Sequence, residues 1–208
     1  MNKHLVNGWH GEKYMLSDKQ LYRRVMSDSK SDYNWIAPAR ELIKVCEKRK
    51  FSKEYAIKIK ATILNCFANI EHGARINHGD KYLNDPRDDK AIEKCYNSLY
   101  GINDEKAVSA RKYFLTEFIE SSSQFPVLST HYHIGDTYKS IRNDWVKKNV
   151  EKYITQEKIN FSKLSTVLYD NFLETIITAE EQGMFIKDDE KEKEEWKSFC
   201  KRMRSVNI

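Results

Sequence analysis

Four of the six histidines of this chain fall in two short stretches that share an ending. The first runs Glu71-His72-Gly73-Ala74-Arg75-Ile76-Asn77-His78-Gly79-Asp80, and the second His131-Tyr132-His133-Ile134-Gly135-Asp136. Imidazole and carboxylate are the side chains that hold zinc, iron or manganese. They are also the groups that move protons near neutral pH. The candidate catalytic residues are therefore His72, Arg75, His78 and Asp80, together with His131, His133 and Asp136. His131 and His133, two apart, converge only from an extended backbone. The carboxylate-bridged di-iron pattern needs Glu-x-x-His on a helix, and Glu71 is followed at that spacing by Ala74. The competing reading is plainer: histidines cap helix C-termini and loop aspartates beside glycine hold turns. No metal site and no cofactor is expected.

Two nuclease signatures can be compared with these stretches. The His-hydrophobe-His of rolling-circle nucleases sits on a sheet with a separate Tyr nucleophile, and no convincing strand is expected here. Helical nucleotide-binding ribonucleases are similar in outline, with an Arg and a polar residue four to six positions before a His. Arg75 reaches His78 after only two residues, so the spacing departs from that signature. The chain has no GxxxxGK[ST], GxGxxG or GxSxG, which disfavours P-loop hydrolysis and acyl transfer at a nucleophile elbow.

Charge offers a second kind of site. The net +5 is unevenly spread: residues 1–60 carry 14 basic and 7 acidic groups, while the rest is faintly acidic or neutral. Arg23, Arg24, Lys44, Lys48, Arg49, Lys50 and Lys53 are the candidate nucleic-acid contacts, with Lys58 and Lys60 beyond them. Tyr22, Trp35 and Tyr55 are interleaved. Cations bind phosphate and aromatics stack bases. The plainer reading makes the aromatics core and the cations solvated.

The elements that must position these groups are helices. With 7 Gly and 3 Pro in 208 residues, turns are few and a many-stranded sandwich is unlikely. Residues 1–16 are expected to be an irregular N-terminal segment. Ser17-Asp18-Lys19-Gln20 has the form of a capping box, opening a short helix with Leu21 and Val25 inward. Further helices are expected from Asn34 to Lys50, over 53–77, from Pro86 to Tyr100, from an Asn103 cap, over 137–154, and from Asn160 to Gln182. The spacing of Ile59, Ile63, Phe67 and Ile70 marks the longest as central. A last segment, Asp188 to Arg204, is dense in Glu and Lys. The expected fold class is all-α: a single bundle of seven or eight helices over 17–184, with 185–208 a charged C-terminal helix that is either an appendage on the bundle or an interaction arm.

The run Ile63-Leu64-Asn65-Cys66-Phe67 to Gly73, then Ile76 to Gly79-Asp80, resembles the bacterial family called domain of unknown function 4760. Ala37-Pro38-Ala39-Arg40 upstream and Trp145 downstream lie at matching distances, so the resemblance spans about residues 30–148. The chain departs from the family in the N-terminal membrane helix and in an insertion at Asn84 to Asp88. The resemblance implies a bacterial or phage setting and a helical core, with no catalytic residue carried over.

Cys46, Cys66, Cys95 and Cys200 are scattered, with no CxxC, and read as small buried hydrophobes in a reducing compartment. No apolar run has membrane-span length, and a cytoplasmic protein is expected. Three functions remain in view. The first is a non-enzymatic interaction protein that binds a protein partner or forms a homo-oligomer. The second is a nucleic-acid-binding protein that uses the basic first third, in phage defence or counter-defence. The third is a ribonuclease or metal-dependent hydrolase built on the two histidine stretches.

Overall fold

A computed structural model of the chain describes residues 3–7, 13–26, 36–48, 51–78, 86–122 and 135–184, with the single positions 194, 198 and 201. Of residues 7, 36–37, 70–78, 86–89, 135 and 136 the backbone alone is described. The order of elements is β1 (Lys3–Asn7), β2 (Lys13–Ser17), α1 (Asp18–Met26), α2 (Ile36–Lys48), α3 (Lys53–His78), α4 (Pro86–Asn97), α5 (Glu105–Ser122), α6 (Gly135–Ile154) and α7 (Phe161–Glu181). Seven helices among the described residues, with one two-stranded ribbon, make this an all-α protein.

The ribbon departs from the irregular start expected of residues 1–16. β1 and β2 pair antiparallel with Lys3 opposite Ser17, Leu5 opposite Met15 and Asn7 opposite Lys13. The reason lies in period two: side chains alternate between the faces of a strand. Val6 is 1% exposed, and Tyr14 and Leu16 pack partly buried against the core. Three apolar residues on one face suffice to pin so short a ribbon to a bundle. The glycines at 8 and 11, which argue locally for irregular chain, fall in the segment between the strands.

Each helix is fixed by a stripe of buried side chains and by its ends. α3 buries Ile59, Ile63, Leu64, Phe67 and Ala68, and α5 buries Ala107, Ala110, Phe114, Leu115 and Ile119. These two long helices form the centre of the bundle. Tyr96, Phe114, Phe118 and Phe161 meet as one aromatic cluster, with Phe161 edge-on to the other three rings at 4.9–5.3 Å. Such edge-to-face contacts suit the ring quadrupoles. A second cluster joins α6 to α7 through Trp145 and Tyr138 against Phe172.

The ends follow the expected chemistry, but α4 ends at Asn97, with turns rather than helix on to Tyr100, and α5 changes its cap. Asn160 caps α7, its Oδ1 accepting from the Lys163 N–H at 2.9 Å. Gly183 sits at φ 68° just past the end, where a side chain would be strained. α5 is capped by Asp104 rather than Asn103: the Asp104 carboxylate accepts from the N–H groups of Lys106 and Ala107. α5 begins at Glu105, which puts Asp104 at the cap position, and its carboxylate also meets the positive end of the helix dipole. The expected tail helix, 185–208, lies outside the described residues apart from Glu194, Ser198 and Lys201, which are helical and exposed.

Candidate nucleic-acid interface

α1 carries the strongest arrangement of charge. Ser17 and Gln20 form the reciprocal cap, with the Ser17 N–H donating to Gln20 Oε1 at 2.8 Å and the Gln20 N–H donating to Ser17 Oγ at 3.4 Å. Leu21 and Val25 then point inward and are fully buried. That forces Lys19, Gln20, Arg23 and Arg24 to the opposite side, because residues four apart share a helix face. All four are exposed. The only acidic residue of α1 is Asp18, and its Oδ1 lies 2.5 Å from Nε2 of His4 on β1. The outer face of α1 thus carries three cations and a neutral Gln20, with no acid.

The remaining sequence-predicted cations are more mixed. Lys44 and Lys48 are exposed on α2, but Lys44 is held by Glu41, and Lys48 follows Glu47. Lys53 is exposed at the start of α3, beside Glu54. Arg49 and Lys50 lie outside the described residues. Mixed signs cancel the field that a polyanion feels, so α1 outranks α2 and α3 as a phosphate surface.

The interleaved aromatics are not laid out as a stacking platform. Tyr22 and Tyr55 stack on each other at 5.5 Å, Phe51 packs on Tyr55 at 5.4 Å, and all three lie partly buried against the core. Their job is to tie α1 to the start of α3. Burial, aided by Tyr22, pushes the Tyr55 hydroxyl up to about 12. Trp35 lies outside the described residues.

The ribbon adds cations that the sequence did not single out. Its outer face presents Lys3, Leu5, Lys13 and Met15, all exposed. No acidic residue occurs among its described residues. The signal was present in Lys-His-Leu-Val-Asn and Lys-Tyr-Met-Leu-Ser, two five-residue runs flanking a segment with two glycines. Arg24 packs its guanidinium over the Tyr14 ring at 5.5 Å and so joins α1 to β2.

The two histidine stretches are placed only in part. His72, Arg75 and His78 fall on the last two turns of α3, and Asp136 is the second residue of α6; their side chains lie outside the described residues. Asp80, His131 and His133 lie outside them altogether. Among the described residues, no three His, Cys, Asp or Glu side chains gather closely enough to hold a metal ion.

The best-defined polar cluster in the bundle is structural. Arg111, 6% exposed on α5, donates through one terminal nitrogen to the carbonyls of Ile154 and Gln156 at the end of α6. Its guanidinium lies 4.5 Å from the Tyr96 ring centre and 5.1 Å from that of Tyr100. A cation at a helix C-terminus and over ring faces is stabilised without a carboxylate. Burial pushes the Tyr96 hydroxyl up to about 12, against the opposing pull of Arg111.

Comparison of the chain with protein-family models, with curated proteins and with solved structures finds no match.

Proposed function

We propose that this protein binds nucleic acid through its N-terminal unit, the ribbon and α1. One observation carries the reading: the exposed face of α1 holds Lys19, Arg23 and Arg24 with no acidic group among them. Lys3 and Lys13 on the adjoining ribbon add to the same positive field. Phosphate contacts of this kind supply affinity by releasing counterions, so binding must weaken as salt rises. A protein-binding module would use the charged last helix or a homodimer face, and that helix lies outside the described residues apart from Glu194, Ser198 and Lys201. Among the described residues no helix is long and apolar enough to cross a membrane.

The test is fluorescence anisotropy with a labelled oligonucleotide at several salt concentrations. The pair Lys19→Glu with Arg23→Glu reverses two charges on exposed positions and leaves Leu21 and Val25 in place. Binding by the variant is expected to fall by at least tenfold at about 50 mM salt. Lys147→Glu with Lys148→Glu, on the exposed side of α6, is the control and should change binding little. Equal loss in both pairs would reduce the effect to net charge and overturn the assignment to α1.

A further inference from the structure

The ribbon raises a question that charge alone does not answer. Leu5 and Met15 are directly opposite each other in the register, and they stay 53% and 51% exposed on the outer face. An apolar pair at the centre of a cationic ribbon does nothing for phosphate binding. It is also not a spare part of the core, because Val6, Tyr14 and Leu16 already serve the inner face. We infer that the ribbon is the element that enters the major groove of duplex DNA, with Leu5 and Met15 against base edges and Lys3 and Lys13 on the flanking phosphates. The inference rests on the nucleic-acid reading above and names its substrate class.

Dimensions favour this occupant. Two strands lie about 4.8 Å apart, and five residues extend about 16 Å. The major groove of B-DNA, about 12 Å wide, admits a two-stranded ribbon directly, whereas the minor groove, about 6 Å wide, takes one only when the duplex is widened or bent. Lys3 and Lys13 start their strands at opposite ends of the ribbon, four register positions apart. That separates them by about 13 Å along the strands, on the scale of the groove width, so their long arms reach phosphates on both sides. Leu and Met side chains match the thymine methyl group, the apolar feature that the major groove displays.

The rival occupants fit less well. A-form RNA has a major groove too deep and narrow for side chains to read. Single strands are held by exposed aromatic platforms, and the aromatics of α1 and α3 are spent on each other. A second copy would bring lysines against lysines. The two exposed apolar side chains would also bury far less than the roughly 1,200 Å² of a stable pairing.

The ribbon is held rigidly enough for such a task. His4 and Asp18 join β1 to the start of α1, the Ser17–Gln20 cap fixes the strand-to-helix corner, and Arg24 packs over Tyr14. A reading element positioned by three separate contacts loses little freedom on binding.

The experiment compares one sequence as a DNA duplex, an RNA duplex and a DNA single strand, with the full chain and with Leu5→Ser/Met15→Ser. The wild type should bind the DNA duplex at least tenfold more tightly than either alternative. The double variant, whose positions are exposed and whose fold is checked by thermal melting, should lose about tenfold on the DNA duplex alone and keep the salt slope. Lys3→Ala/Lys13→Ala should instead lower that slope by about 2. Methylation of guanine N7, which lies in the major groove, should interfere with wild-type binding. Duplex binding that ignores both the Leu5/Met15 exchange and N7 methylation would overturn the groove assignment and leave the cationic reading standing. Failure of the wild type to bind any of the three probes at about 50 mM salt would overturn both.

Discussion

Arg111 shows how a single side chain can hold three helices together. It reaches from α5 to the last carbonyls of α6 and lies between rings contributed by α4 and the turn after it. Hydrogen bonds from a charged donor are worth more than neutral ones, and a desolvated cation over a ring adds to them. Arg111→Ala should therefore cost about 3 kcal/mol, read as a lower urea midpoint at unchanged slope. Arg111→Lys should recover less than half of that loss, since an ammonium cannot lie flat on the rings while donating to the carbonyls. An equal-stability lysine variant would mean that charge alone does the work. Asn97 acts in the same neighbourhood by a different route. Its amide donates to the Ile159 carbonyl and accepts from the Ile159 N–H, both at 2.9 Å, as a strand partner would. Neither role was legible in the sequence. A buried Arg and a half-buried Asn each look like ordinary polar positions until the partner, 43 or 62 residues away, is known.

At the level of elements, legibility followed periodicity and caps. The α7 start at Asn160, its stop at Gly183 and the Ser17–Gln20 corner all rest on interactions within a few residues, so local spacing revealed them. The ribbon was missed because five-residue strands carry too few alternations, and their selection comes from the core beneath Val6. Missing it hid half of the candidate interface: Arg23 and Arg24 were picked out by type, but Lys3, Lys13 and Lys19 belong to no face until the ribbon and α1 are folded. Two consequences can be measured. Asn160→Ala removes the α7 cap and should cost about 1 kcal/mol, although Glu93 still accepts from the Phe161 N–H. His4→Ala combined with Ser17→Ala weakens the hold of the ribbon on α1, leaving Arg24 over Tyr14 and the Ser17 N–H to Gln20 in place. Amide exchange should then accelerate in residues 3–7 and 13–17, while α3 and α5 keep their protection. Acceleration throughout the bundle would show instead that the ribbon is part of the global cooperative unit.

For the whole molecule, the helices bury weak acids that ionise more readily once unfolded. Burial raises the thiol of Cys46 to about 11 and that of Cys95 to about 12, even though Lys60 pulls both down. Burial likewise raises the hydroxyls of Tyr96 and Tyr138 to about 12, opposed by Arg111 and Arg142 respectively. In the unfolded chain the thiols lose their protons near 9.0 and the phenols near 10.0. Above those values the unfolded state binds fewer protons than the native one, so the derivative of unfolding free energy with pH is negative. These four groups thus leave stability unchanged below about pH 8 and erode it as pH rises from 9 towards 12. Cys95, Tyr96 and Tyr138 each contribute a slope of up to about 1.4 kcal/mol per pH unit in the interval between its two values, and the partly buried Cys46 contributes less because solvent screens it. Urea unfolding at pH 8 and at pH 10.5 should show a loss of several kcal/mol. Cys95→Ala should begin from a lower stability, because its thiol fills the core and donates to the Lys60 carbonyl, yet fall less steeply with pH. A variant that matched the parent slope would place the alkaline sensitivity elsewhere in the bundle.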